Sequence, residues 1–180
     1  MAQVKIQIKS IFGEVLFEYE KENNTIKDTV EEAVRRQVSL RNADLRNADL
    51  SYADLSNAVL SNAVLSNAKN IPYIPINCPS DGAFVGWKKV DGKLVKLLIP
   101  DDAKRSSATT MKCRCDKAKV LAITSLDGKK QYDSVLNINY TATEYKVGEM
   151  VYPDKFDDDR WNECSNGIHF FINKQDAINY

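Results

Sequence analysis

Histidine is almost absent from this 180-residue chain: His169 is the single one. It is the one histidine that could act as a general base. No Ser or Cys nucleophile motif and no acidic orienting partner accompanies it, so no catalytic residue is assigned. Glycine-rich phosphate loops are missing as well. No apolar run approaches the length of a membrane span, and residues 1–10 alternate polar and apolar side chains instead of forming a secretory core. Net charge is lacking too: 25 basic residues balance 25 acidic ones, which argues against nucleic-acid or membrane binding driven by whole-chain charge. Cysteines are few. Cys78, Cys113, Cys115 and Cys164, with His169, supply enough ligands for zinc, but there is no second close pair and no zinc-ribbon spacing. They read as reduced, buried thiols in a cytosol. Asp157, Asp158, Asp159 and Glu163 lack the spacing of a calcium loop and read as a surface loop. No metal and no cofactor is expected.

What is present begins with a repeat. Residues 38–67 carry Leu40, Leu45, Leu50, Leu55, Leu60 and Leu65 at a strict interval of five, with a small residue two positions before each leucine and asparagine closing most repeats. A period of five fits neither a helix at 3.6 nor a flat strand at 2.0. It fits a coil in which each repeat forms one side, the leucines fill the interior and alanine occupies the tight corners. Before it, residues 4–8 and 15–19 read as a hairpin turning at Gly13-Glu14. Thr25, with Asp28 three positions on, opens a helix that ends near Gln37 and caps the coil.

After Asn67 the texture changes. A Pro-rich crossing ends in a turn at Asp81-Gly82. A second, β-rich module then runs to Tyr180. Residues 84–90 and 94–99 flank Asp91-Gly92, a strong hairpin signal. Residues 117–124, 145–152 and 168–172 read as further strands, and Asn173 caps a short helix over 174–180. The expected class is therefore α+β: an N-terminal hairpin and helix (1–37), a short β-helix (38–70), a linker (71–83) and a β-rich C-terminal domain (84–180).

The Ala-Asp-Leu-x-x motif of residues 43–57 resembles the pentapeptide-repeat family, whose members form right-handed four-sided β-helices with four repeats per coil, and the resemblance implies a right-handed β-helix here. Six repeats would then give one and a half coils. The stretches Phe84-Val85-Gly86-Trp87-Lys88-Lys89, Lys112-Cys113-Arg114-Cys115, Tyr145-Lys146-Val147-Gly148-Glu149 and Cys164-Ser165-Asn166-Gly167-Ile168-His169-Phe170-Phe171 resemble phage-encoded proteins that join such repeats to a C-terminal domain of unknown function. That resemblance implies a setting in the cytoplasm of an infected bacterial host. It brings no catalytic residue. Some pentapeptide-repeat proteins imitate DNA as long acidic rods. One and a half coils, at about 4.8 Å each, make a stub of roughly 7 Å, too short for duplex mimicry by a monomer.

The most informative chemistry is a basic run. Ten Lys and Arg residues between Gly86 and Lys119 face four aspartates, an excess of six positive charges. From it and its surroundings come the expected ligand contacts: Trp87, Lys88, Lys89, Lys104, Arg105, Thr109, Lys112, Arg114 and His169. Cations, hydroxyls and an aromatic together suit a phosphate-bearing, nucleotide-like anion. The same charges could instead form a solvated face paired with the acidic stretch 144–163. The expected function is a non-catalytic accessory binding protein, counter-defence in role, that sequesters such a signal through a basic face. On this reading Arg105→Glu or Arg114→Glu would weaken binding and leave the fold intact. Two alternatives stand beside it: a protein-interaction module acting on a host defence protein through the β-helix, and a cryptic nucleotide-processing enzyme using His169. No membrane and no sequence-specific nucleic acid is an expected partner. A homo-oligomer is expected, because Val59 and Val64 replace outward aspartates and a coil end leaves backbone groups unpaired.

Overall fold

The computed structural model describes residues 2–55, 58–72, 76–138 and 142–180. The chain divides into two compact units, 1–75 and 76–180. Among the described residues the structure is mostly β-sheet with two helices.

In the first unit, β1 (Gln3–Lys9) and β2 (Val15–Glu22) form an antiparallel hairpin. Helix α1 (Ile26–Arg35) starts on a reciprocal capping box, with the Thr25 hydroxyl accepting from the Asp28 N–H and the Asp28 carboxylate accepting from the Thr25 N–H. Two N–H groups that the helix leaves open are thereby satisfied. Val30 and Ala33 are buried, and Glu32 holds Arg35 and Arg36 at the other end. Those two guanidiniums keep the Glu32 carboxyl down at about 2.

The repeats after α1 contain no strand among their described residues. At intervals of five the backbone takes a left-handed φ, at Asn42, Asn47, Tyr52, Asn62 and Asn67. Asparagine tolerates that region better than most side chains, which is why it recurs at the closing position. The Ala43, Ala48, Ala53, Ala58, Ala63 and Ala68 N–H groups each donate to the leucine carbonyl three residues earlier. A turn every five residues leaves too little extended chain for a strand. Among the described residues, parallel pairing is confined to the bridges Asp44–Val64 and Asp49–Lys69, and every named sheet is antiparallel. The β-helix expected from the sequence is accordingly not built as a solenoid of strands. Leu40, Leu45, Leu50, Leu60 and Leu65 are buried and Leu55 is half-buried. The first contact below the repeats comes from the hairpin: the Lys9 carbonyl accepts from the Asp44 N–H, and the Ile11 N–H donates to the Asn42 carbonyl.

The second unit is one eight-stranded antiparallel sheet and a small two-stranded one. Its strands are β3 (Phe84–Val90), β4 (Lys93–Ile99), β5 (Arg105–Ser107), β6 (Lys112–Cys115), β7 (Ala118–Ser125), β8 (Gln131–Tyr132), β9 (Ser134–Asn137), β10 (Thr143–Lys146), β11 (Met150–Val151) and β12 (Ile168–Phe171), and the last element is α2 (Lys174–Asn179). The large sheet runs β11-β7-β4-β3-β12-β6-β5, with β8 on β7; β9 and β10 pair separately. One face carries the main core: Val95, Leu97, Ile99, Cys113, Cys115, Val120, Ile123, Ile168 and Phe170. The strand expected over 145–152 is broken in two. Gly148 takes a φ of +88°, and the N–H groups of Val147 and Gly148 leave the strand to bond the Asp133 and Val120 carbonyls. Among the described residues, no helix is long and apolar enough to cross a membrane.

Candidate functional site

Side chains alternate across a strand, so the residues of β6 and β12 divide between two faces. Cys113, Cys115, Ile168 and Phe170 enter the core. Lys112, Arg114 and His169 fall on the opposite face. His169 and Arg114 are direct cross-strand neighbours, as are Phe171 and Lys112. On this opposite face α2 adds Ala177 to Leu94 and Phe171, with Trp87, Leu126 and Ile178 packed around them.

Most of the expected ligand contacts have structural partners. Arg114 is 2% exposed. Its Nη1 donates to the carbonyls of Asp157 (3.1 Å) and Asn166 (2.8 Å), and its Nη2 to that of Asp159 (2.8 Å). The acidic loop therefore closes on a guanidinium, which lies over the Phe156 ring. Among the described residues no group of three or more Asp, Glu, His or Cys side chains is placed to hold a metal ion. Arg105 is committed in the same manner, with its N–H groups on the carbonyls of Pro79, Gly82, Pro100, Asp101 and Ala103. Lys104 pairs with Asp158. The Thr109 N–H donates to the Glu163 carboxylate at 2.6 Å. The open basic face expected around Arg105 and Arg114 is thus not what these two residues form. A guanidinium already holding several carbonyls has little left to offer an anion.

The remaining expected contacts are also placed. Lys88 Nζ donates to the His169 carbonyl at 3.2 Å, where β12 pairs with β3 only through Phe171 and Trp87. Burial pushes this lysine down to about 8, with Lys112 adding to the effect and Cys115 opposing it. Lys89 donates to the Ile178 carbonyl of α2. The Lys112 ammonium contacts the Cys164 sulfur at 3.1 Å and lies over the Tyr180 ring. Burial disfavours its charge, but Cys164, Tyr180 and Glu163 more than offset that and its pKa is raised. His169 Nε2 donates to the Ser165 carbonyl at 2.8 Å. Burial first, then Lys88, Lys112 and Arg114, hold His169 down at about 4, so the ring is neutral at physiological pH.

Eight of the ten cations between residues 86 and 119 therefore have partners. Lys93 and Lys117 take Asp91 and Asp102, in addition to the six just described. Lys96 and Lys119 have neither a carboxylate nor a carbonyl among the described residues. Lys96 stands directly across the β3–β4 pair from Trp87, with Nζ 5.7 Å from that ring's centroid. Lys174, at the start of α2, brings a second ammonium to 5.6 Å of the same ring, also without an ion pair among the described residues. Lys119 is opposite Leu98, two residues along β4 from Lys96, and so shares their face. Trp87 is half-buried, its ring seated against Leu94, Phe171 and Ala177. Two ammonium groups with no carboxylate or carbonyl partner among the described residues thus stand within 5.7 Å of one indole's centroid. Sequence reasoning named Trp87 but not Lys96 or Lys119 as contacts, and it passed over Lys174, which reads as an ordinary solvated residue in a short helix.

Comparison with known protein families returns two matches. Pentapeptide repeats (8 copies) match residues 36–69, and a family of unknown function, DUF5758, matches residues 74–177. No curated protein and no solved structure matches the chain. The second match spans more than half the chain and nearly all of the unit that holds Trp87, Lys112, Arg114 and His169: the chain belongs to the family of unknown function DUF5758.

Proposed function

We propose that the second unit is a non-catalytic binding module for an anionic, nucleotide-type ligand, seated at Trp87 between Lys96 and Lys174. The observation that carries this reading is the pair of ammonium groups beside one indole, unneutralised while the neighbouring cations are paired. Phosphate would draw the two lysines together and relieve their mutual repulsion. A base or other aromatic group would stack on the indole. Lys119 extends the positive face for a second phosphate. Binding without turnover is favoured because the sole histidine is neutral, half-buried and tied to a backbone carbonyl. Sequestration of a nucleotide-type signal, a phage counter-defence role and a setting in the host cytoplasm belong to the same proposal. They rest on the motif resemblances of residues 84–89, 112–115, 145–149 and 164–171.

We further propose that the repeats wind as a short β-helix of four repeats per coil, serving as a spacer or docking surface and as one contact of a homo-oligomer. Supporting this, the N–H groups of Leu40, Asn42, Leu45, Asn47 and Leu50 donate to carbonyls nineteen residues ahead, and those of Val64 and Lys69 to carbonyls twenty-one residues behind. Both offsets straddle four repeats.

The test uses Trp161→Phe, which leaves Trp87 the only tryptophan. Adenosine and guanosine mono- and dinucleotides are titrated at low salt, where exposed charges act over longer range, and indole fluorescence is monitored. Quenching that weakens at least tenfold in Lys96→Ala plus Lys174→Ala, with unchanged melting, is the expected result. Identical titrations in both proteins would overturn the assignment. Intact nucleotide released from purified protein by heat supports sequestration; an altered product would instead support an enzyme.

A further inference from the structure

We infer that Cys78 and Cys113 form an oxidation site, a buried pair of thiols poised to join as a disulfide that staples the first residues of the second unit to β6. Two separate features of the fold bring these sulfurs together. Residues 76–79 have no regular structure and lie as a strap on β5 and β6. The Asn77 N–H donates to the Ser107 hydroxyl at 2.6 Å, its side-chain amide donates to the Thr110 carbonyl at 2.5 Å, and the Pro79 carbonyl accepts from Arg105. Ser107 is the direct cross-strand partner of Cys113. A strap anchored on Ser107 thus carries the next side chain, Cys78, to the neighbourhood of Cys113. Both are buried in the same core cluster, and each thiol shifts the ionisation of the other, as close neighbours do.

The Cys113 S–H donates to the Met111 carbonyl at 3.8 Å. Cys113 is raised, by Cys78 first and then by burial, while Cys78 is lowered, by Cys113 first and then by the nearby Arg105 and Arg160. Cys78 is accordingly the sulfur better able to attack. With hydrogen peroxide as oxidant, the Cys78 thiolate attacks one peroxide oxygen. The O–O bond breaks, hydroxide leaves, and the Cys78 proton converts it to water. The Cys113 sulfur then attacks the sulfenic sulfur; its proton leaves with the departing hydroxyl as a second water, and the S–S bond forms. Two thiols and one peroxide become one disulfide and two waters. Peroxide is small enough to reach a thiol that a strap without regular structure covers, since such segments open locally far more readily than the sheet beneath them. Cys115 is also buried, but its sulfur contacts the Ile168 carbonyl, and burial pushes it up to about 12. Cys164 is exposed and sits on Lys112.

The experiment uses the full chain carrying Cys164→Ser, so that the exposed thiol cannot divert the oxidant. Protein treated with peroxide is alkylated with iodoacetamide, cleaved with trypsin and analysed by mass spectrometry. Trypsin cuts after Lys112 and after Arg114, placing Cys113 and Cys115 on different peptides, so the linkage is unambiguous. The expected product joins the Cys78 peptide to the Cys113 peptide, with a rise in the melting temperature that reductant reverses. Linkage of Cys78 to Cys115, or full alkylation of Cys78 and Cys113 after peroxide, overturns the inference. Cys78→Ser, at the strap end of the pair, is the control in which Cys113 must remain alkylatable.

Discussion

Replacing Arg114 by methionine keeps much of the side chain's length and removes its charge and all its donors. Three carbonyls, of Asp157, Asp159 and Asn166, would then lose their partner. A hydrogen bond to a charged group contributes roughly 1.5–3 kcal/mol, and a buried acceptor left alone costs about 1–3 kcal/mol. Simple addition overstates the loss, because an opened loop readmits water. Breaking a buried charged network by removing one partner typically costs about 3–5 kcal/mol. For a unit of about 100 residues, each kcal/mol shifts the melting temperature by about 4–8 °C. The second unit of Arg114→Met should therefore melt at least ~12 °C below wild type, and trypsin should nick the loop after Lys155 and Arg160 before the rest of the sheet opens. Calorimetry and timed proteolysis read both effects. Arg114→Glu should be worse still, placing a carboxylate among carbonyl oxygens. A melting temperature within about 2 °C of wild type, with the loop equally resistant, would show that Arg114 is not the centre on which that loop closes.

Three other positions give separate tests. A Cβ on Gly86 would stand 2.6 Å from Cδ2 of the fully buried Phe170, so Gly86→Ala should cost about 1–3 kcal/mol by overpacking; chemical denaturation would measure it, and Phe170→Leu in the same chain should restore part of the loss. His169 is held at about 4 against an ordinary 6.5: its folded form resists protonation, so its contribution is intact above pH 6.5 and is lost as pH falls toward 4, a change on the order of 3 kcal/mol. Denaturation across that window should be steeper in wild type than in His169→Gln, and equal slopes would remove His169 from the acid response. In the repeats, Leu50→Asp puts a carboxylate at a fully buried position and should unfold the first unit. Asp49→Asn, at the exposed neighbouring position, should leave its circular dichroism and melting unchanged; equal tolerance at both sites would mean the repeat register is wrong.

Local signals were the legible part of this fold. Thr25 and Asp28 announce the start of α1, Asp91-Gly92 the β3–β4 turn and Asn173 the cap of α2, because each acts through atoms within a few residues. The leucine positions could be read for the same reason, since a five-residue interval and small corner residues survive in the sequence whatever the chain later packs against. The break between β10 and β11 was harder to read, because the carbonyls that draw away the N–H groups of Val147 and Gly148 belong to Asp133 and Val120. β6 was the least legible as interior. Two of its four side chains are cations, and their burial depends on a loop more than forty residues further on that wraps Arg114. The site shows the same division. Trp87 stands out by type, whereas Lys96 matters only because neighbouring lysines are neutralised, and Lys174 only because α2 folds back beside β3.

Pairing across nineteen and twenty-one residues makes the length of the repeat segment a quantised variable. One residue added near Ser51 would shift every donor before it by one place against the carbonyls after it, and would bring Asp54, Val59 and Val64 to the places now held by Leu55, Leu60 and Leu65. On the four-repeat winding proposed above, five residues preserve the corners but rotate the downstream repeats by one side, and twenty preserve both, returning each side chain to the face it left. Lineages carrying this segment should therefore differ in length by whole repeats, with insertions of other sizes confined to the ends.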